Sequence, residues 1–354
     1  MLKFNIQNHI LQFKFEAGTS RGVLTEKEKW YLKVWDESNP EIVGIGECGP
    51  LKGLSIDDVE DFSSQLSVYS RQFLDSPLTT HHSQLDNFPA IRFGIETSLL
   101  DLHNGGKRVI FQNDFSEGKA SIPINGLIWM GSKEFMLQQM EEKLSTGYTC
   151  LKMKIGAIDF ETELDIIKTI RKRFSADEIM LRLDANGAFS KTDALQKLYQ
   201  LAVFQIHSIE QPIRQGQWEE MSDLCKNTPI PIALDEELIG VYGNRKTELI
   251  EVVQPQFIIL KPTLLGGFEM CDEWISLAEK RGIDWWITSA LESNIGLNAI
   301  CQYTYAKTQH KQQMPQGLGT GSLYHNNIAS PLTISDGRIS YNAESGWGDL
   351  SELT

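Results

Sequence analysis

Apolar and polar positions alternate with a period of two over the first fifty residues. "HILQFKFEAG", "KWYLKVWDES" and "EIVGIGECG" each read as a strand, with turn-rich links between them. This predicts an antiparallel meander from about Leu2 to Gly49. The period then lengthens to that of a helix in "SIDDVEDFSSQLSVYSRQFLD", from Ser55, and again in "PAIRFGIETSLLDLHNG", from Pro89, which ends at Gly105 and Gly106. Residues 1–119 are expected to form an α+β unit.

From Ala120 the texture changes. Short apolar, β-branched segments are each followed by an amphipathic stretch: "SIPINGLIW", "CLKMKIG", "IMLRLDAN", "IHSIEQP", "IPIALDE", "FIILKP", "DWWITSALE" and "PQGLGTG". Eight strand–helix units over residues 120–324 predict a parallel (β/α)₈, TIM-like barrel. In "DFETELDIIKTIRKRF", Phe160, Leu164, Ile167 and Phe174 fall on one face. After Gly267, Phe268, Cys271, Ile275 and Ala278 do the same, and Gly282 reads as a stop. Residues 325–354 return to strand-like texture and are expected to rejoin the N-terminal unit as part of an α+β cap.

Composition narrows the function. The chain has 354 residues, 41% of them hydrophobic, enough to bury a sizeable core. No run reaches the roughly eighteen apolar residues of a membrane span, and "MLKFNIQNHI" lacks a signal-peptide core, so a cytoplasmic protein is expected. Five scattered cysteines with no C-x-x-C pair point to buried thiols rather than disulfides or structural zinc. The formal charge of −14, without a basic run, argues against nucleic acid. A small anionic substrate remains compatible, because a metal ion and local lysines can invert the potential in one cleft.

Barrel active sites lie at the C-terminal ends of the strands. There the second strand offers Lys152 and Lys154 on one face, the third Asp184 and Asn186, the fourth Glu210, the fifth Asp235 and the sixth Lys261. The steps from Lys154 onward are 30, 26, 25 and 26 residues, about one β/α unit each. A single carboxylate there is explained as well by capping the next helix as by chemistry. Three on adjacent strands repel one another unless a cation lies among them or some are protonated, and all-oxygen ligation suits Mg²⁺ or Mn²⁺. None of the seven histidines, among them the adjacent His81 and His82, has metal-ligand spacing. A metal between opposed lysines points to proton abstraction beside a substrate carboxylate. A buried lysine of lowered pKa takes the proton while the metal stabilises the enediolate. Lys152 then both contacts a carboxylate and depresses the pKa of Lys154.

These residues resemble the enolase superfamily in its muconate-lactonizing-enzyme branch. "KMK" matches the K-x-K strand, and "LDAN", "IEQP" and "LDEE" match the three metal carboxylates. Within the branch, "AGTSRGVLTEKE", "NGLIWMG", "SALESNIGLNAI" and "QGLGTG" are most similar to the dehydratases that form an aromatic succinylbenzoate in menaquinone biosynthesis. The resemblance implies an α/β barrel with an α+β capping domain, Mg²⁺ on Asp184, Glu210 and Asp235, and Lys154 as acid and base. Lys261 would lie as a cation against the substrate ring. It also implies that Lys152, Arg182 and Asn186 are close supports, that Ser289, Ser293 and Gly319 approach the succinyl tail, and that Arg21, in a cap loop, closes over the mouth.

N-succinylamino acid racemases use two opposed lysines equally well, and the sequence separates them poorly from the dehydratases. Dipeptide epimerases usually carry D-x-D at the eighth strand, where this chain has "GLGTGSLYHNN". Acid-sugar dehydratases place a histidine near strand seven, and "WWITSALE" has none. "GIGECG" satisfies G-x-G-x-x-G, but it follows a meander and is interrupted by Pro50, out of context for a dinucleotide fold. A barrel kept only for binding would be expected to lack part of the charged set, all of which is present. Oligomeric state is not legible.

Overall fold

In a computed structural model of the chain, which describes residues 1–19, 22–73, 83–311 and 314–350, the opening meander consists of three antiparallel strands. These are β1 (Leu2–Thr19), β2 (Gly22–Asp36) and β3 (Asn39–Cys48), in that spatial order. One face of β2, carrying Trp30, Leu32 and Val34, packs on α1 (Phe62–Phe73) and α2 (Pro89–His103) through Phe62, Leu66, Ile91 and Ile95. Gly44 and Gly46 of "GIGECG" let the neighbouring β3 lie close on α2. A Cβ on Gly46 would strike the Gly94 carbonyl of α2 and stand 2.9 Å from Thr97 Oγ1. The first helix starts at Phe62 rather than at Ser55, because polar side chains before it bond the backbone in turns. Ser55 Oγ accepts from Leu51 N at 2.7 Å, and Asp58 Oδ2 accepts from Gly53 N at 2.7 Å.

The expected first barrel strand is split. Its first half, β4 (Ser121–Pro123), pairs antiparallel with the tail, and only its second half, β5 (Gly126–Ile128), begins the parallel sheet. The chain changes partner between them: Ile124 N donates to Gly337 O and Asn125 N to Gln316 O, each at 2.9 Å. There follow α3 (Lys133–Ser145), β6 (Cys150–Lys154), α4 (Phe160–Arg173), β7 (Met180–Asp184), α5 (Ala194–Ala202), β8 (Ser208–Glu210), α6 (Trp218–Asn227) and β9 (Ile232–Leu234). Next come α7 (Asn244–Val253), β10 (Phe257–Leu260), α8 (Pro262–Leu265), α9 (Gly267–Glu279), β11 (Asp284–Ile287) and α10 (Asn294–Thr308). Strands β5 to β11 form a curled, seven-stranded parallel sheet in sequence order. The eighth segment, "PQGLGTG", is not a strand among the described residues. Gln316 and Gly317 make single parallel bridges to Ile124 and Thr288, and three glycines in five residues weaken strand pairing.

Strand side chains alternate between two environments. Leu151, Met153, Leu181, Leu183 and Ile209 join the core beneath the outer helices, while Lys152, Lys154, Arg182 and Asp184 face inward. On α4 the buried face is Glu163, Ile166, Ile167 and Ile170, and Phe160, Leu164 and Phe174 are only half-buried at its margin. On α9 the expected Phe268, Cys271, Ile275 and Ala278 are buried.

The tail forms a hairpin, β12 (Leu332–Ser335) with β13 (Arg338–Tyr341), on β4 rather than on the N-terminal meander. The residues before it do reach β1, where His325 N donates to Gln12 O at 2.9 Å and Asn326 Nδ2 to Ile10 O at 2.8 Å. All five cysteines are buried free thiols, and among the described residues no helix is long and apolar enough to cross a membrane.

Candidate active site

The strand registers set Lys154 opposite Asp184 and Asp184 opposite Glu210, so three charged side chains from β6, β7 and β8 form one cross-strand row. Asp235 follows the end of β9, and Lys261 follows the end of β10. Placing charges here is possible because each cation meets a carboxylate. Lys152 Nζ lies 2.9 Å from Asp184 Oδ2 and also bonds Glu210 Oε2. Lys154 Nζ donates to Asp184 Oδ2 and Asn186 Oδ1, both at 2.8 Å, and Lys261 Nζ bonds Asp235.

The same neighbours divide the three lysines. Burial lowers the pKa of Lys154, and the adjacent Lys152 ammonium adds to this against the pull of Asp184. For Lys152 burial acts in the same sense, but Asp184, Glu210 and Asp235 together outweigh it and hold the ammonium above its ordinary range. Lys261 is likewise raised, with Asp235 overcoming burial. One lysine is thus biased toward the free amine and the other two toward the cation.

Among the described residues, no three His, Cys, Asp or Glu side chains stand as a group able to hold a metal in their present placement, and the lysine ammonium groups take up the carboxylate oxygens. The donor set nonetheless fits a hard divalent cation. Asp184, Glu210 and Asp235 are all buried, come from consecutive strands and offer only oxygen. Glu210 Oε1 is buried without a hydrogen-bond partner. Burial, Asp184 and Asp235 push the Glu210 carboxyl well above its usual range, a repulsion that a cation would relieve.

A cavity of about 570 Å³ opens beside this ring, and Lys152, Lys154, Asp184, Asn186, Lys261, Ser289 and Gly319 all line it. Glu210 and Asp235 do not line it; they stand among the inward charges that Lys152 and Lys261 contact. Arg182 lies one layer deeper, two residues before Asp184 on the same strand face. Its guanidinium sits 4.1 Å from the Trp286 ring centroid, and Nη1 donates to Pro315 O at 2.8 Å, away from the cavity lining. Ser293 is also off the lining; it is fully buried as the N-cap of α10, with its Oγ accepting from Ile295 N and donating to Glu47. Arg21, like His81 and His82, lies outside the described residues, although its neighbours Gly22, Val23 and Leu24 line the cavity.

A search for charged strand ends misses the apolar and neutral wall. Trp129 is 3% exposed, lines the cavity and has its ring centroid 6.0 Å from Lys154 Nζ. Asn125 and Leu127 precede it on and beside β5, and Phe15 and Leu24 reach in from the N-terminal sheet. The legible signal for Trp129 is its place at the end of the first predicted strand.

Residues 136–349 match the family described as enolase C-terminal domain-like. An o-succinylbenzoate synthase of Desulfotalea psychrophila is 47% identical over 359 residues, 93% of this chain and 96% of its own. The crystal structure of MenC from that organism has a TM-score of 0.82 at 43% identity, covering 96% of this chain and 99% of the other. An N-succinylamino acid racemase of Thermus thermophilus is 33% identical over 166 residues, 47% of this chain and 42% of its own.

Proposed function

The chain belongs to the enolase C-terminal domain-like family, and we propose that within it the protein acts as an o-succinylbenzoate synthase. It would dehydrate 2-succinyl-6-hydroxy-2,4-cyclohexadiene-1-carboxylate to 2-succinylbenzoate, a step of menaquinone biosynthesis. The observation that carries this assignment is the placement of Lys154. It is a buried lysine of lowered pKa held by Asp184 and Asn186, on the wall of a cavity that Lys261 also lines.

The free amine of Lys154 removes the proton α to the ring carboxylate. The C–O bond to the ring hydroxyl then breaks as the ring becomes aromatic, and the protonated Lys154 returns its proton to the departing hydroxide, giving water. Lys152 stays cationic, keeps the Lys154 pKa low and contributes positive charge beside the substrate carboxylate. Lys261, held by Asp235, presents its ammonium to the ring. Asp184, Glu210 and Asp235 would hold Mg²⁺, or Mn²⁺, which when bound supplies Lewis-acid stabilisation of charge developing on the substrate carboxylate. Trp129 and Leu24 cover the cavity with apolar surface and limit water.

Two structural expectations belong with this function. The sheet would close as an eight-stranded barrel through Gln316 and Gly317, whose bridges to Ile124 and Thr288 support closure. Residues 1–119 and 325–354 would act together as the cap over the barrel of residues 120–324, as the bonds from His325 and Asn326 to β1 support.

Racemisation of N-succinyl amino acids is the second possibility, favoured by the presence of both Lys154 and Lys261 on the cavity wall and by the racemase match. Purified protein with Mg²⁺ and the cyclohexadiene should show falling diene absorbance that EDTA abolishes. No turnover, beside rapid racemisation of N-succinyl amino acids, would transfer the assignment.

A further inference from the structure

A second K-x-K strand lies outside the ring of strand-end charges. Lys27 and Lys29 share one face of β2 and are buried, at 4% and 0% exposure. Lys27 Nζ donates to Ala290 O at 2.7 Å, in the turn joining β11 to α10. Lys29 Nζ is buried with no hydrogen-bond partner and lies 4.6 Å from the Tyr31 ring centroid. Burial lowers the pKa of both lysines, that of Lys29 to about 7, and two buried carboxylates, Glu47 of β3 and Glu292 of the turn, act against this.

The carboxylates grip the turn from both sides. Glu47 Oε1 accepts from Ser293 N at 2.8 Å, and its Oε2 accepts from Ser293 Oγ and from Gly296 N at 2.9 Å, so a carboxylate of the N-terminal sheet seats on the first turn of α10. Gly296 makes room for it: a Cβ there would stand 3.0 Å from Glu47 Oε2 and 2.9 Å from Glu292 Cβ. Glu292 accepts from Ser289 Oγ at 2.5 Å and Ala290 N at 2.8 Å within the turn, and from Thr263 Oγ1 at 2.5 Å after β10. Ser289, Ala290 and Leu291, which these bonds fix, form one wall of the active cavity.

Four buried ionisable groups are a poor device for stability alone, since well-packed apolar groups commonly do as well. What they do provide is a single geometry. We infer that Lys27, Glu47 and Glu292, with Lys29 buried beside them, form a clamp by which the N-terminal sheet positions the Ser289–Leu291 wall against the substrate. Lys27 and Glu47 are positioning residues, and their effect on substrate rests on the synthase assignment above.

Hydrogen exchange and kinetics on the full-length Mg²⁺-loaded protein test the clamp. Lys27→Met keeps the stem and removes the donor to Ala290. Exchange at the Ala290 and Ser293 amides is expected to accelerate about tenfold, with α2 unchanged, as the loss of a charged hydrogen bond predicts. KM for the cyclohexadiene should rise about tenfold while kcat stays within about threefold, the signature of lost binding rather than lost proton transfer. Glu47→Gln, nearly isosteric, should repeat the pattern and carries the test if Lys27→Met does not fold. Unchanged exchange at both amides in a folded variant, or a loss confined to kcat, overturns the clamp. Because exchange needs no substrate, failure of the clamp and failure of the synthase assignment are read separately.

Discussion

Lys154 Nζ donates to Asn186 Oδ1 at 2.8 Å, and Asn186 holds that oxygen in place with a backbone φ of 44°. Asparagine enters the left-handed region more readily than most residues. Its Nδ2 donates in turn to Glu236 Oε1 at 3.0 Å, so the acceptor that aims the lysine is itself fixed on its far side.

Removing the amine and removing its guide should have different consequences. Lys154→Ala is expected to lower kcat by about 10²- to 10⁴-fold, the usual contribution of a general base. Asn186→Ala should lose activity and also about 1–2 kcal/mol in urea unfolding, because alanine is strained at this φ. Asn186→Gly should regain most of that stability but not the activity. A fully active Lys154→Ala would remove the proposed base.

Metal dependence follows from the carboxylate row. EDTA should abolish turnover and Mg²⁺ restore it. Glu210→Gln should weaken Mg²⁺ binding by at least about tenfold in calorimetry, since it removes one of three anionic donors. Mg²⁺ should also raise the unfolding midpoint of the wild type, with about 2.7 kcal/mol of added stability at a hundredfold excess over Kd. A midpoint insensitive to Mg²⁺ would contradict the site.

Lys261→Ala should lose most synthase activity. The cation over the ring accounts for about 0.5–2 kcal/mol, and the variant also leaves the buried Asp235 without its ammonium partner. Lys261→Met in the presence of Mg²⁺, assayed by loss of diene absorbance, checks this. Wild-type rates would show that Lys261 plays no part.

Glu96 should make stability fall as pH rises. Its carboxylate accepts from Phe268 N at 2.6 Å and Glu269 N at 3.1 Å, tying α2 to the start of α9, and burial pushes its pKa up to about 7. The folded protein therefore keeps a proton up to about pH 7 that the unfolded chain releases near pH 4.5, so stability is greatest below that window and declines through it. The decline is at most roughly 3 kcal/mol, less in proportion to the solvent this half-buried side chain still meets. Glu96→Gln should flatten the difference between unfolding at pH 5 and pH 8; an unchanged difference would assign the slope to other groups.

The amino-acid order by itself determined the strand and helix periods of both units, except at the eighth barrel segment and the start of the first helix. It also determined the recurrence of one charged residue per β/α unit from Lys154 to Lys261, because a strand-end position is set by local pattern and repeat length alone. Period two likewise placed Lys152 and Lys154 on one face of their strand. Only the tertiary structure decided depth: Arg182 shares the face of Asp184 but lies a layer below, stacked on Trp286. It also decided where α10 begins, which turned Ser293 into a buried helix cap while Ser289 stayed on the cavity wall. The change of partner between β4 and β5, the Trp129 wall, and the bond from Glu47 to Ser293, 246 residues apart, depend on how one sheet docks on another. Periodicity is a short-range property of the chain, whereas these contacts join segments that meet only when the sheets pack.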